Sequence, residues 1–512
     1  MGLKIIMLVA FFAVMIGVGF YCRKEAQNVD GFVLGGRKVG PWLTAFAYGT
    51  SYFSAVVFVG YAGQFGWKYG IASTWAGIGN AVIGSLLAWI ILGKRTRIMS
   101  HTLNSSTMPD FFGKRFDAKS LKIGASIITF VFLIPYTASL YNGLSRLFGM
   151  AFNIDYTICV IIMAVLTGVY VIAGGYMATA INDFIQGIVM LGGIVAVIIA
   201  VINGKGGFAS AFAQMTQVSD PSVGAEQGAF ASIFGPDPIG LLGVVILTSL
   251  GTWGLPQMVQ KFYAIKDESA IKKGTIISTI FALVVAGGCY FLGGFGRLFA
   301  DQIDVKAGGY DSIIPTMLSG LPDILIGIVV ILVLSASMST LSSLVLTSSS
   351  TITIDLVNEA KKKKMSDKSQ VLLMRVLIVV FIALSVIIAI VQYKSNVTFI
   401  AQLMGISWGA LAGAFLAPFM YGLFWKGVTK AACMASFIAG VGITVIHMAY
   451  YTLAGHTGTL WGINLASPIN AGAFAMLFGL VLVPIVSLIT RQSDADKAHA
   501  EKVFECYNDS EI

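Results

Sequence analysis

Apolar runs long enough to cross a bilayer recur along almost the whole chain, separated by short polar stretches. A spanning helix needs about 20 predominantly apolar residues. Thirteen segments qualify: approximately 3–21, 41–65, 70–93, 123–149, 154–174, 179–203, 238–260, 274–299, 322–355, 371–392, 397–424, 431–452 and 470–490. The pattern predicts an all-α polytopic membrane protein of about 13 transmembrane helices, with a transmembrane domain over 1–490 and a short tail over 491–512. No long hydrophilic domain interrupts it; the longest polar stretches are about 94–122, 204–236 and 300–321. Only Lys4 precedes the first segment, and no small-residue cleavage site follows it at Val18–Arg23, so it reads as a retained helix rather than a signal peptide.

The segments fall into two blocks of five, 41–203 and 238–424. Five is odd, so the second block must enter the membrane upside down relative to the first. Each block opens on a helix with a Gly/polar interruption, Gly49-Thr50-Ser51 in the first and Gly251-Thr252-Trp253-Gly254-Leu255-Pro256 in the second. Gly and Pro are common in membrane helices, so either interruption alone says little. Interruptions at corresponding places in two halves point to an inverted-repeat transporter with its site at the breaks.

Segment nine carries a hydroxyl-dense stretch, Ser335-Ala336-Ser337-Met338-Ser339-Thr340-Leu341-Ser342-Ser343, after the aliphatic run from Ile324 to Leu334. Ala336, Ser339, Thr340 and Ser343 follow i, i+3, i+4, i+7 spacing and share one helical face. Such hydroxyls often only bond their own i−4 carbonyls or let helices pack closely. They also suit a small hard cation, with carbonyls freed at a break near Thr50 to Phe53 supplying further oxygens. Neutral oxygens favour a monovalent ion such as sodium, because calcium sites recruit several carboxylates. Asp183 is the one acid read well inside a span, and with Ser342 and Ser343 it forms a candidate second, charged site. By depth, all three regions lie between the inner interface and the midplane, where they can converge.

Composition supports the membrane assignment: 57% of residues are hydrophobic and 11% charged, against roughly 25% charged in soluble proteins. The net charge of +9 is a topology signal rather than a nucleic-acid footprint. With alternate loops assigned to alternate sides, 26 of the 33 Lys and Arg residues fall on one side, Lys261 and the run Lys361–Lys364 among them. The positive-inside rule then puts the N-terminus outside and the C-terminus in the cytoplasm of a multi-pass cell-membrane protein. The five cysteines stand singly, which leaves disulfides and zinc without support. No nucleophile with its base, metal cluster or interior acid–base pair is read, so the chain is not expected to be an enzyme, and no cofactor or obligate protein partner is implied.

Further runs carry a resemblance. They are Leu34-Gly35-Gly36-Arg37 with Gly40-Pro41, Val169-Tyr170-Val171-Ile172-Ala173-Gly174-Gly175-Tyr176-Met177-Ala178, Asn182-Asp183-Phe184-Ile185-Gln186-Gly187, Gly254-Leu255-Pro256-Gln257 with Lys261-Phe262, and Met338-Ser339-Thr340-Leu341-Ser342 followed by Ser348-Ser349-Ser350 and Asp355-Leu356. In this order they resemble the sodium/solute symporter family, and within it the proline-carrying branch most closely. The resemblance implies a leucine-transporter-type five-plus-five core. It also implies a sodium site from the carbonyls of Thr50, Phe53 and Ala336 with the hydroxyls of Ser339 and Thr340. In some members a second sodium site matches Asp183, Ser339, Ser342 and Ser343, and Tyr136 matches a solute-contacting tyrosine. Three positions depart from the proline-carrying pattern: Tyr52 replaces an aspartate, Thr248 a tryptophan and Ser343 a cysteine. These bear on the solute more than on the ion.

The sequence therefore predicts a sodium-coupled symporter importing a small polar solute, an amino acid such as proline or a small carboxylate, with sodium and lipid as its other partners. Tyr52, Ser54, Tyr136, Thr248, Trp253 and Pro256, from the breaks and the kinked segment four, are the candidate solute contacts. Rival readings within transport are the same fold driven by protons, with Asp183 as relay, or a sodium/sugar or sodium/vitamin symporter. A sugar would call for more Asn, Gln or charged partners than the breaks provide.

Overall fold

The computed structural model describes residues 2–361, 363–395 and 400–508. It is helical almost throughout, because in hydrocarbon each backbone N–H and C=O must be paired within its own segment. Among the described residues the named strands form one short two-stranded hairpin, Thr459–Leu460 with Ile463–Asn464. The principal helices are α1 (Gly2–Tyr21), α2 (Pro41–Tyr52), α3 (Val56–Thr102), α4 (Lys119–Phe152), α5 (Tyr156–Gly204), α6 (Pro238–Gly254) and α7 (Pro256–Tyr263). They continue with α8 (Glu268–Gly293), α9 (Asp323–Ala360), α10 (Asp367–Ser395), α11 (Ile400–Phe424), α12 (Lys430–Leu453), α13 (Pro468–Ile489) and α14 (Asp494–Phe504).

Among the described residues ten helices are long and apolar enough to cross a membrane, or eleven when α6 and α7 count as one bent span. Two of these are too long for a single crossing. The 49 residues of α5 would extend roughly 70 Å, more than twice the ~30 Å hydrocarbon core. The helix is interrupted at Gly175, where φ is 56° and ψ −146°. The 47-residue α3 turns similarly at Gly70, φ 63°. The sequence reading of about thirteen segments divides each of these two runs in two, close to these glycines. A side chain at 175 would be strained by the backbone and would set its Cβ 2.8 Å from the Phe32 carbonyl oxygen. Gly175→Ala should therefore cost about 1–3 kcal/mol and lower the melting temperature of the purified protein; an unchanged melt would show that the turn carries no such strain.

Both interrupted helices break, with matching backbones. Between α2 and α3, Phe53 is extended at φ −86°, ψ 120°; between α6 and α7, Leu255 is at φ −86°, ψ 122°. The first break lies a few residues beyond the place the sequence indicated. Gly49, Thr50 and Ser51 remain helical, and the two hydroxyls bond back to the carbonyls of Phe46 and Ala47. Gly49 serves close packing instead: a Cβ there would lie 2.5 Å from the Phe281 ring.

The helix α9 is buried nearly all round, packed against α1, α2, α4, α5 and α10. By contrast α10 exposes Leu372, Val376, Val379, Ile387 and Val391 at helical spacing, an apolar stripe suited to lipid. At the end rich in basic residues, the Lys122 ammonium lies 2.9 Å from Asp110, 3.3 Å from Glu359 and 3.7 Å from Asp355, while Thr107 donates to Asp355 at 2.6 Å. These contacts tie α4 to α9 at that end of the bundle. The segment read as a short tail contains α14, which docks there: Val503 and Phe504 are buried, and Asp496 pairs with Lys430 at 2.8 Å.

Candidate ion and solute site

The end of α2 and the middle of α9 meet at a cluster of oxygens. The Ser339 hydroxyl lies 3.0 Å from the carbonyl oxygens of Thr50 and Ala336. The Thr340 hydroxyl lies 3.2 Å from those of Thr50 and Phe53 and 3.1 Å from that of Ala336. All five residues are buried. The Thr50 and Phe53 carbonyls point here because the helix stops at Tyr52, leaving its last carbonyls without the N–H groups a further turn would supply. Five close oxygen–oxygen contacts are thus served by two hydroxyl protons. Back-bonding of Ser and Thr to their own helix, the bland reading of this stretch, accounts for the contacts to Ala336 but not for those across to α2.

Below this cluster the structure corrects the sequence reading. No basic residue was expected beside Asp183, and Lys261 was assigned to a loop. It lies inside the bundle, 2% exposed. Its ammonium is 3.0 Å from the Ser343 hydroxyl, 3.8 Å from Asp183 Oδ2 and 5.0 Å from the centre of the Tyr176 ring. The Ser343 hydroxyl also meets that of Ser51 at 2.9 Å, whereas Ser342 bonds back to the Ser339 carbonyl. The Asp183 oxygens find no hydrogen-bond donor among the described residues. The signal that reveals Lys261 is the second break itself. A helix that restarts at Pro256, at the depth of the break, has advanced only about 8 Å when it reaches Lys261.

The candidate solute contacts divide. Tyr136 is fully buried, stands edge-on to Trp408 with centroids 6.0 Å apart, and has Ser54 and the Trp408 indole beside its hydroxyl. Neither that hydroxyl nor Trp408 Nε1 completes a hydrogen bond among the described residues, and the same holds for the neighbouring Tyr61 hydroxyl. Trp408 and Tyr61 were missed because nothing in their local sequence marks them. Thr248 bonds the Val244 carbonyl, beside Asn80 and Tyr290. Trp253 donates to the Ile83 carbonyl at 2.9 Å, and Pro256 starts α7. The side chain of Tyr52 lies outside the described residues.

A broken helix facing a hydroxyl-rich one, each in a different half of the chain, is the arrangement expected of an ion-coupled transporter. Comparison with known proteins decides which one: the description of the sodium:solute symporter family matches residues 32–440. The chain belongs to the sodium:solute symporter family. It is therefore a multi-pass membrane symporter that couples sodium to a small solute, and not an enzyme. The sodium/proline symporters of Staphylococcus aureus strains JH9 and NCTC 8325 are each 27% identical to this symporter over 500 residues, 96% of its chain and 93% of theirs. In fold, it matches a Na+-coupled sialic acid symporter, solved substrate-bound and outward-open, with a TM-score of 0.72 at 19% identity across 95% of this chain and 98% of that one. A manganese transporter of Eremococcus coleocola matches at 0.50 and 11% identity, across 92% and 95%. At these identities the structural matches speak for fold alone, the all-α leucine-transporter type.

Proposed function

We propose that this symporter imports a small zwitterionic or carboxylate-bearing solute, an amino acid such as proline being the leading case, with the coupling sodium held by Thr50, Phe53, Ala336, Ser339 and Thr340. The observation that carries the ion assignment is the count of protons: two buried hydroxyls make five contacts of 3.0 to 3.2 Å with three carbonyl oxygens, with only two hydroxyl protons to serve them. A cation at their centre would be met by oxygen lone pairs from all five groups, and neutral oxygens suit a monovalent one. In the cell membrane, with the N-terminus outside, external sodium joins the end of α2 to α9. That fixes the first break and with it Ser54, next to Tyr136. Sodium drives the cycle only through its higher affinity for the state in which α2 and α9 are joined.

The solute reading rests on the unpaired polar groups of Tyr136, Trp408 and Tyr61 around an aromatic wall. A compact apolar body fits the rings, and its polar end satisfies hydroxyls that otherwise stay buried without partners. The sodium/proline symporters among the relatives favour the same class. A radiolabelled panel of proline, other amino acids, carboxylates and sugars, taken up by proteoliposomes with and without a sodium gradient, tests this directly; uptake confined to sugars would overturn it. Tyr136→Phe should raise the half-saturating solute concentration about three- to tenfold, the loss of one hydrogen bond of about 1 kcal/mol, while sodium binding stays measurable. Unchanged half-saturation per mole of purified protein would remove Tyr136 from the site.

A further inference from the structure

Three groups make the pocket below the five-oxygen cluster unusual. Asp183 comes from α5, in the first half of the chain; Lys261 comes from α7, in the second; Ser343 comes from α9. The Lys261 ammonium sits between the other two, 3.0 Å from the Ser343 hydroxyl and 3.8 Å from the Asp183 carboxylate, and rests over the face of Tyr176. Its side chain is 3% exposed and that of Asp183 is fully buried. Ser343 also joins this pocket to the upper one. Its hydroxyl meets Ser51 at 2.9 Å, next to Thr50, and lies 3.2 Å from the carbonyl of Ser339. Asp183 and Ser343 are two of the four residues, with Ser339 and Ser342, read as a second sodium site, and an ammonium already stands between them.

We infer that Lys261 is a tethered cation taking the place of a second sodium, so that this symporter binds one sodium ion per cycle. The inference rests on the assignment of sodium to the five-oxygen cluster. Charge bookkeeping supports it. Asp183 and Lys261 cancel, and sodium among neutral oxygens leaves the buried region with a single net positive charge. A second sodium on Asp183 and Ser343 would share both ligands with the ammonium. Two unit charges about 4 Å apart, at an effective dielectric of about 20, repel enough to weaken binding roughly 1000-fold. The tether also sets a difference in behaviour. A bound sodium leaves when the inner end opens, whereas the ammonium stays with α7 and moves only as far as that helix moves.

Equilibrium binding of radiolabelled sodium to the purified full-length protein in nanodiscs tests this without knowledge of the solute. The wild type should bind one sodium per chain, and Lys261→Arg should keep that count. Lys261→Ala removes the ammonium, leaves Asp183 uncompensated and opens space for an ion, so it should bind two. The Lys261→Ala/Asp183→Asn variant should return to one. Two sodium ions on the wild type, or one on a folded Lys261→Ala protein, would overturn the inference while leaving the upper site intact. No sodium on the wild type would remove the upper site, and this inference with it. If Lys261→Ala fails to fold, the wild-type count alone still decides.

Discussion

Uptake by the Ser339→Ala/Thr340→Ala variant should demand at least about 100-fold more sodium than uptake by the wild type. Both hydroxyls lie within 3.2 Å of carbonyls on α2 and α9, and both are buried. A polar contact to a charged group is worth about 1.5–3 kcal/mol, and two such losses correspond to two or more powers of ten in affinity. The methyl of each alanine offers the ion no oxygen lone pair, so the lost coordination is not restored in place. The three carbonyls persist, so binding weakens rather than vanishes. Solute uptake at saturating sodium should fall much less than uptake at low sodium, because the hydroxyls act on the ion and reach the solute only through the geometry of the break. The measurement is the sodium dependence of initial uptake in proteoliposomes, alongside direct sodium binding. A double variant with the wild-type sodium dependence would dismiss this cluster as the coupling site.

Why the five-oxygen cluster could be read from sequence, and the charged pocket only in part, comes down to which contacts are periodic. Ser339 and Thr340 share a face of one continuous helix with Ala336, so spacing alone brought three of the five clustered residues together. The other two are backbone carbonyls, which any residue supplies; only the position of the break selects Thr50 and Phe53. That position was legible to within a few residues, since Gly49 marks a tight crossing with Phe281 and not the break. Lys261 escaped because a helix restarting at Pro256 inside the bundle turns a residue that looks like loop into one that is buried. Trp408 meets Tyr136 only through the packing of α11 against α4, a tertiary contact with no local trace. The membrane-spanning, all-helical character was legible from the length of the apolar runs, yet the turns at Gly70 and Gly175 emerge only as left-handed backbone within runs of otherwise helical residues.

Asp183→Asn should yield little folded protein and no detectable transport, and Lys261 is the reason. Asparagine keeps the size of aspartate but removes the charge that offsets the ammonium 3.8 Å away. With Asp183 neutralised, Lys261 retains, among the described residues, the Ser343 hydroxyl and the Tyr176 ring. Breaking one member of a buried ion pair costs about 3–5 kcal/mol, whereas replacing both members with apolar or neutral groups of similar volume is close to neutral. The Asp183→Asn/Lys261→Met variant should therefore recover yield and melting temperature that Asp183→Asn loses. The same pair of variants separates sodium coupling from proton coupling. Were Asp183 an obligatory proton relay, wild-type uptake would follow an inward pH gradient with no sodium present, and Asp183→Asn would fold normally yet be inert. A single variant that melts like the wild type, together with proton-driven uptake in sodium-free buffer, would replace the sodium reading with the proton one. A single variant that is unstable, rescued in the double, with uptake still tied to sodium, is the outcome that the Lys261–Asp183 pair predicts.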